Sequence, residues 1–266
     1  MFISTMTEEG IIRREVTYNI LNNPSVQDRF INNALYILKT KGFYGISIYA
    51  ENVTNDNINS IAEYLKRASA IFHSEGYKVL ITITPATNVD TPSVAFEKLD
   101  YSRLSEFVDG IIFSSYDWAR SYSYPNAIFP VNILRELIDY VVSIIPPEKI
   151  FLGVTALGYD WTLPYVPGAT EAIIISNDRA VQIAAENNIP IQFNEAAQSS
   201  YFYYMDIDGI LHVVWFKDAR SFDARAELLA EYNLQGLSIW TIMRFITQLW
   251  LIINTKYYIE RLMGID

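Results

Sequence analysis

The stretch YGISIYAE, Tyr44 to Glu51, delivers one carboxylic acid at the end of an apolar, strand-like run. Side chains alternate along an extended strand, so Ser47, Tyr49 and Glu51 share one face. An acid in that position can serve as a general acid toward a leaving oxygen. The plainer reading is a strand-end carboxylate that caps the next helix. Other residues able to do chemistry end similar runs: Tyr116 and Asp117 after GIIFSS, Tyr159 and Asp160 after KIFLGVTALG, and Trp240 in GLSIWTI. Together they amount to one acid, a Tyr-Asp pair and an aromatic floor on which a flat amphipathic ring, such as a sugar, can stack. For Tyr159, Asp160 and the adjoining Trp161, a structural role and a sugar contact both stand. With no Cys and only two His, His73 and His212, far apart, both His are read as structural and a zinc site is not expected. No cofactor is implied.

The elements that must position these residues follow from pattern. FISTM (2–6), YGISIYAE (44–51), KVLITITP (78–85), GIIFSSYD (110–117), KIFLGVTALG (149–158) and GLSIWTI (236–242) are rich in β-branched and aromatic residues. Between several of them lie helical patterns with apolar residues at three- and four-residue spacing. VQDRFINNALYILKTKG and NINSIAEYLKRASAIFHSEG both end on Gly, and FPVNILRELIDYVVSII is closed by PPEK. Near-continuous apolar strands alternating with helices predict an α/β fold with a parallel sheet, either doubly wound or a TIM-type (β/α) barrel. In a barrel, reactive side chains sit at the C-terminal ends of the strands, where all the candidates fall. One segment breaks the rhythm. Residues 160–218 contain the helix-like DRAVQIAAENN and two alternating runs joined at Asp208-Gly209, a hairpin signal, and read as a small α+β insertion before the last strand. Residues 1–266 are expected to form a single domain around it.

Several of these segments, in the same order, resemble glycoside hydrolase family 18, the chitinase-like TIM barrels, and in particular its spore germination and cortex-lytic N-acetylglucosaminidase subgroup. YGISIYAE falls on the family signature Asp-x-x-Asp-x-Asp-x-Glu, SSYDW on the strand-six Tyr-Asp, and GLSIWTI on the strand-eight Trp. FINNALYILKTKGFYG, FLGVTALGYDWTLPYVPG and AAQSSYFYYMDIDGILHVVWFKDARS also look like that subgroup. The resemblance implies that Glu51 protonates the glycosidic oxygen while the substrate's own N-acetyl carbonyl attacks the anomeric carbon. Tyr116 then partners the acetamido group, Asp117 the sugar or the acid, and Trp240 forms the floor. The signature's three Asp positions, however, are Tyr44, Ser47 and Tyr49 here. Tyr49 replaces the Asp that would stabilise the oxazolinium cation. A phenol, with an ordinary pKa near 10, is neutral at pH 7 and supplies no negative charge.

Counted against the family, with FISTM as its third strand, the chain supplies six of the eight barrel strands, so FISTM and GLSIWTI are expected to have open edges; either an upstream segment completes the barrel, or the gap is covered by a second copy, a partner chain or the terminal helix KYYIERLMG, of which a second copy or partner chain is the favoured reading. The expected ligand is an N-acetylglucosamine-containing glycan of the peptidoglycan or chitin kind. Whether the chain hydrolyses it, only binds it, or serves as a structural subunit of a spore, cell-wall or phage assembly is left open. An excess of Asp and Glu over Lys and Arg, 30 to 20, argues against nucleic acid. No apolar run reaches the roughly 18–20 residues that cross a bilayer, and the opening MFISTMTEEG has no signal-peptide pattern, so a soluble chain is expected.

Overall fold

The computed structural model describes residues 1–4, 14–50, 53–85, 96–114, 123–240 and 246–258. In chain order its strands are β1 (Phe2–Ile3), β2 (Gly45–Ala50), β3 (Lys78–Ile83), β4 (Gly110–Phe113), β5 (Ile150–Thr155), β6 (Leu157–Thr162), β7 (Ile173–Ser176), β8 (Gln192–Asn194), β9 (Ser199–Met205), β10 (Leu211–Phe216) and β11 (Gly236–Trp240). The helices are α1 (Arg14–Asn22), α2 (Pro24–Lys41), α3 (Ile58–Ser74), α4 (Ser102–Ser105), α5 (Val131–Val142), α6 (Asn177–Glu186), α7 (Ala219–Tyr232) and α8 (Thr247–Lys256).

Helix α2 shows how local chemistry sets an element's limits. Asn23 caps it by accepting from Ser25 N–H, Pro24 occupies the first helical position, and Gly42, at φ 62°, ends it in the left-handed conformation that suits glycine. Gln27, Ile31, Ala34 and Leu38 form its buried stripe. Helix α3 buries Ile58, Ile61, Ala62, Leu65, Ala68 and Phe72 in the same way. These faces close over the outward side chains of the strands, Val79, Ile81, Ile83, Ile111 and Phe113, in one core cluster.

The strands under those helices form a six-stranded sheet in the order β1-β2-β3-β4-β5-β11, with every neighbouring pair parallel. This is a TIM-type barrel holding six of the eight strands. Its ends are β1 and β11, and neither pairs with the other. The opposite face of each strand looks into the lumen. There Ser47 of β2 bonds Thr82 of β3 at 2.9 Å between hydroxyl oxygens. Gly153 of β5 permits close approach to β4: a Cβ there would lie 2.7 Å from Ser114 Cα.

The α+β insertion is a second, antiparallel sheet in the order β7-β6-β10-β9-β8. It starts earlier than residue 160. Only Ala156 separates β5 from β6, so the run KIFLGVTALGYDWT passes directly from one sheet into the other. Asp208-Gly209 sits at the β9–β10 turn as the hairpin signal predicts, with Gly209 at φ 75° and Asp206 accepting from Asp208 and Ile210 N–H groups. The last helix, α8, lies over the QLWLI run and ends at Lys256, the first residue of the KYYIERLMG segment, where Tyr257 turns extended; residues from 259 onward fall outside the described residues.

The seam between the sheets carries two buried cations. Arg225 of α7 donates to the carbonyls of Ser221, Phe129 and Ile128. Burial lowers its pKa to about 10. Lys217, after β10, is 1% exposed, and its Nζ has no hydrogen-bond partner among the described residues. Burial, and then the neighbouring Arg225 charge, push its amine well below the ordinary lysine range. The unfolded chain therefore binds this proton at pH values where the folded chain does not. Stability rises with pH from the depressed folded pKa up to the unfolded value of 10.5. Lys217→Met is expected to stabilise the protein by about 1–3 kcal/mol at pH 7. The gain shrinks as pH approaches 10, which urea titrations of both proteins at the two pH values will measure.

Candidate functional site

The candidate residues divide between the barrel mouth and the insertion. Glu51, Tyr116 and Asp117 lie outside the described residues, each beyond a strand that is described: β2 ends at Ala50 and β4 at Phe113. Tyr49, Trp240, Tyr159 and Asp160 are all placed.

Tyr49 projects from β2 on the same face as Ser47 and is 8% exposed. Its hydroxyl lies 2.9 Å from Thr84 Oγ1, which lies 2.7 Å from Ser114 Oγ. This hydroxyl ladder crosses β2, β3 and β4 and fixes the phenol by bonds that need no charge. The aromatic face of Tyr49 meets Phe2 of β1, with ring centroids 5.5 Å apart. Phe2 in turn meets Trp240 at the end of β11, at 5.1 Å and 55°. The structure thus joins Tyr49 to Trp240 through Phe2. Phe2 bridges the two open edges of the sheet, and both Phe2 and Trp240 remain 41% exposed.

Sequence reasoning treated Phe2 only as part of an apolar strand. Its register partner is the usable signal: Phe2 pairs with Ser47, so it shares the lumen face with Ser47 and Tyr49. Thr84 and Ser114 gave no signal at all, because isolated hydroxyl residues at strand ends are common.

Tyr159 and Asp160 are neighbours in β6 and therefore point to opposite faces of the insertion sheet. Tyr159 is buried with Trp161, rings stacked at 5.4 Å, in a cluster with Val213 and Trp215. Asp160 lies on the other face, in register with Val214, whose cluster packs on α6. There it is buried and doubly bonded: Oδ1 is 2.8 Å from His212 Nδ1, and Oδ2 accepts from Tyr204 Oη at 2.7 Å. Burial, followed by the Asp160 hydrogen bond and charge, raises the Tyr204 pKa. His212 Nε2 lies 3.4 Å from Asp206 Oδ2, within ion-pair range but outside hydrogen-bond alignment. His212 therefore acts with the hairpin as a structural tie between β6 and β10. Among the described residues no group of His, Asp and Glu has the makings of a metal site, and no helix is long and apolar enough to cross a membrane.

A parallel barrel sheet with an aromatic at the end of its last strand, and an α+β insertion entered directly from β5, can now be set beside known proteins. The model for glycosyl hydrolases family 18 matches residues 16–244. The chain belongs to glycosyl hydrolase family 18. The cortical fragment-lytic enzyme of Bacillus subtilis (strain 168) is 32% identical over 261 residues, which cover 98% of this chain and 61% of that protein. Among solved structures, the spore cortex-lytic enzyme SleL of Bacillus megaterium QM B1551 is 32% identical, with a TM-score of 0.87 over 98% of this chain and 59% of that one. SleL of Bacillus cereus is 30% identical, with the same TM-score of 0.87. A chitinase of Chromobacterium violaceum ATCC 12472, at 23% identity and a TM-score of 0.83, shares the fold. Within family 18 the chain thus stands close to spore cortex-lytic enzymes, and it spans about 61% of the length of the first of these relatives.

The two readings of Asp160 have different consequences. A carboxylate that ties β6 to β9 and β10 should matter to stability, and one that touches sugar should matter to affinity. Asp160→Asn is expected to cost about 2–4 kcal/mol of stability, since it weakens a buried pair and leaves His212 with a poorer partner. Denaturant unfolding measures it, and an unchanged midpoint with weakened glycan binding would favour the sugar-contact reading.

Proposed function

We propose that this chain is a family 18 protein that recognises N-acetylglucosamine-containing glycans, of the peptidoglycan or chitin kind, and hydrolyses them weakly or not at all. One observation carries the reading. Position 49, where the family signature calls for an Asp, holds a buried phenol bonded to Thr84 and packed against Phe2. Substrate-assisted cleavage builds positive charge on the acetamido group, and a neutral hydroxyl ladder supplies no countercharge there. Losing one preorganised electrostatic partner costs roughly 10²–10³ in rate. The ring also takes up more volume than a carboxylate, which works against the alignment that the reaction needs. In this reading Trp240 stacks on the sugar, Tyr116, Asp117 and Tyr159 line its surroundings, and Glu51 is the inherited acid.

The competing reading is an active retaining N-acetylglucosaminidase in which Glu51 serves as acid and base. The retained Glu51, Tyr116 and Asp117 favour it, as does the likeness to enzymes named cortex-lytic. A purely structural subunit of a spore, cell-wall or phage assembly is the third reading. The open edges of β1 and β11 favour a second copy or a partner chain against them, and the molar mass by light scattering would exceed 30.5 kDa in the first case.

Release of reducing ends from peptidoglycan and chitooligosaccharides separates the readings. Wild type is expected at background, Glu51→Gln unchanged from it, and Tyr49→Asp above it, with thermal melting as the check that Tyr49→Asp is folded. Wild-type turnover that Glu51→Gln abolishes would establish the active enzyme instead.

A further inference from the structure

Lys217 and Arg225 bring two buried basic groups to the seam between the sheets, and among the described residues neither has a carboxylate beside it. Arg225 directs its donors at neutral carbonyls, those of Phe129 at 2.7 Å, Ser221 at 2.8 Å and Ile128 at 3.4 Å. Lys217 directly follows β10, is 1% exposed, and its Nζ has no hydrogen-bond partner among the described residues. The adjoining Asp218 does not answer it. That carboxylate caps α7, accepting from the Arg220 and Ser221 N–H groups, and pairs with the Arg220 side chain. Ser221 adds a second orphan to the same seam, since its Oγ is buried without a partner among the described residues while its carbonyl accepts from Arg225.

What the seam lacks is a negative charge. Buried charges are ordinarily paired, and buried polar groups ordinarily hydrogen-bonded. A free anion answers this poorly: it must shed its water, and it is held best by a protonated Lys217, which leaves two cations against one anion. The amine itself offers another route. Burial, and then the Arg225 charge, disfavour its protonated form, so its nitrogen keeps the lone pair of a nucleophile. The electrophile has to be small and uncharged to reach a group this deeply buried, and its adduct has to be an anion. Carbon dioxide meets both conditions. The nitrogen lone pair attacks its carbon and a C–N bond forms. One C=O electron pair moves onto oxygen, and the nitrogen releases one proton to solvent. The product is a carbamate of charge −1, and nothing is oxidised or reduced.

We propose that Lys217 is a modification site for carbon dioxide, and that its carbamate is the countercharge of Arg225 at the seam between β10, α7 and the Ile128–Phe129 segment. The adduct turns uncompensated positive charge into a neutral buried pair. The inference is independent of the glycan reading and of the barrel mouth.

Carbon NMR of the whole chain at neutral pH, equilibrated with isotopically labelled bicarbonate, tests it. Wild type is expected to show a carbamate resonance that Lys217→Met loses completely. The α-amine of the chain can react in the same way, but its signal persists in Lys217→Met and is thereby told apart. Lys217→Met removes a buried, unpartnered amine and is expected to fold at least as well as wild type, so loss of the resonance is not loss of structure. Thermal melting gives a second readout: carbon dioxide is expected to raise the melting temperature of wild type and to leave that of Lys217→Met unchanged. A wild-type spectrum with no resonance beyond those that Lys217→Met retains overturns the inference. So does a melting temperature that sodium chloride, in carbon dioxide-free buffer, raises in wild type and not in Lys217→Met, because the seam then takes a free anion.

Discussion

The contact of Phe2 with Trp240 is the constraint on which the rest of this molecule turns. A parallel sheet that curls through six strands ends on two unlike edges, and among the described residues backbone hydrogen bonds do not join them. Side chains do: a ring from the first strand and a ring from the last meet across the lumen, with Tyr49 behind them. Tyr49 is in this way a structural member of the barrel as well as a replacement in the signature.

The helices and the outward strand faces follow ordinary barrel rules, with a continuous apolar layer between them. The insertion obeys a different logic. It enters the fold after a single intervening residue, packs one face on the segment around Ala127 and Ile128, and covers the other with α6. Its polar groups are buried in pairs and ties, such as Asp160 with His212 and Tyr204, which satisfy one another at the interior of the sheet. Asn177 and Lys217 are exceptions, the latter a buried amine without a partner among the described residues beside an arginine that already has three carbonyls. Such a group lowers stability, so its seam is a place where this fold carries a cost that packing elsewhere must offset.

Most of the architecture could be read from local pattern. Near-continuous apolar strands, helices with Gly stops and the Asp208-Gly209 turn each encode their own element, because hydrophobic period, cap chemistry and backbone freedom act over a few residues. The boundary of the insertion was less legible, since KIFLGVTALGYDWT reads as one continuous strand-like run and nothing in it marks where one sheet hands over to the next. Among the site residues, Trp240 could be anticipated from its place at the end of a strand. The separation of Tyr159 from Asp160 follows from strand alternation once β6 is recognised as a strand rather than a loop.

What the sequence determined by itself was ancestry, the order of the elements, and the chemical fact that a phenol stands at position 49, where the family signature has an Asp. Tertiary structure alone decided what that phenol does. The Tyr49 hydroxyl finds Thr84, 35 positions away, and its ring finds Phe2, which in turn reaches Trp240 at the far end of the chain. Contacts between residues so distant in sequence depend on the curl of the whole sheet, and no local pattern carries that information.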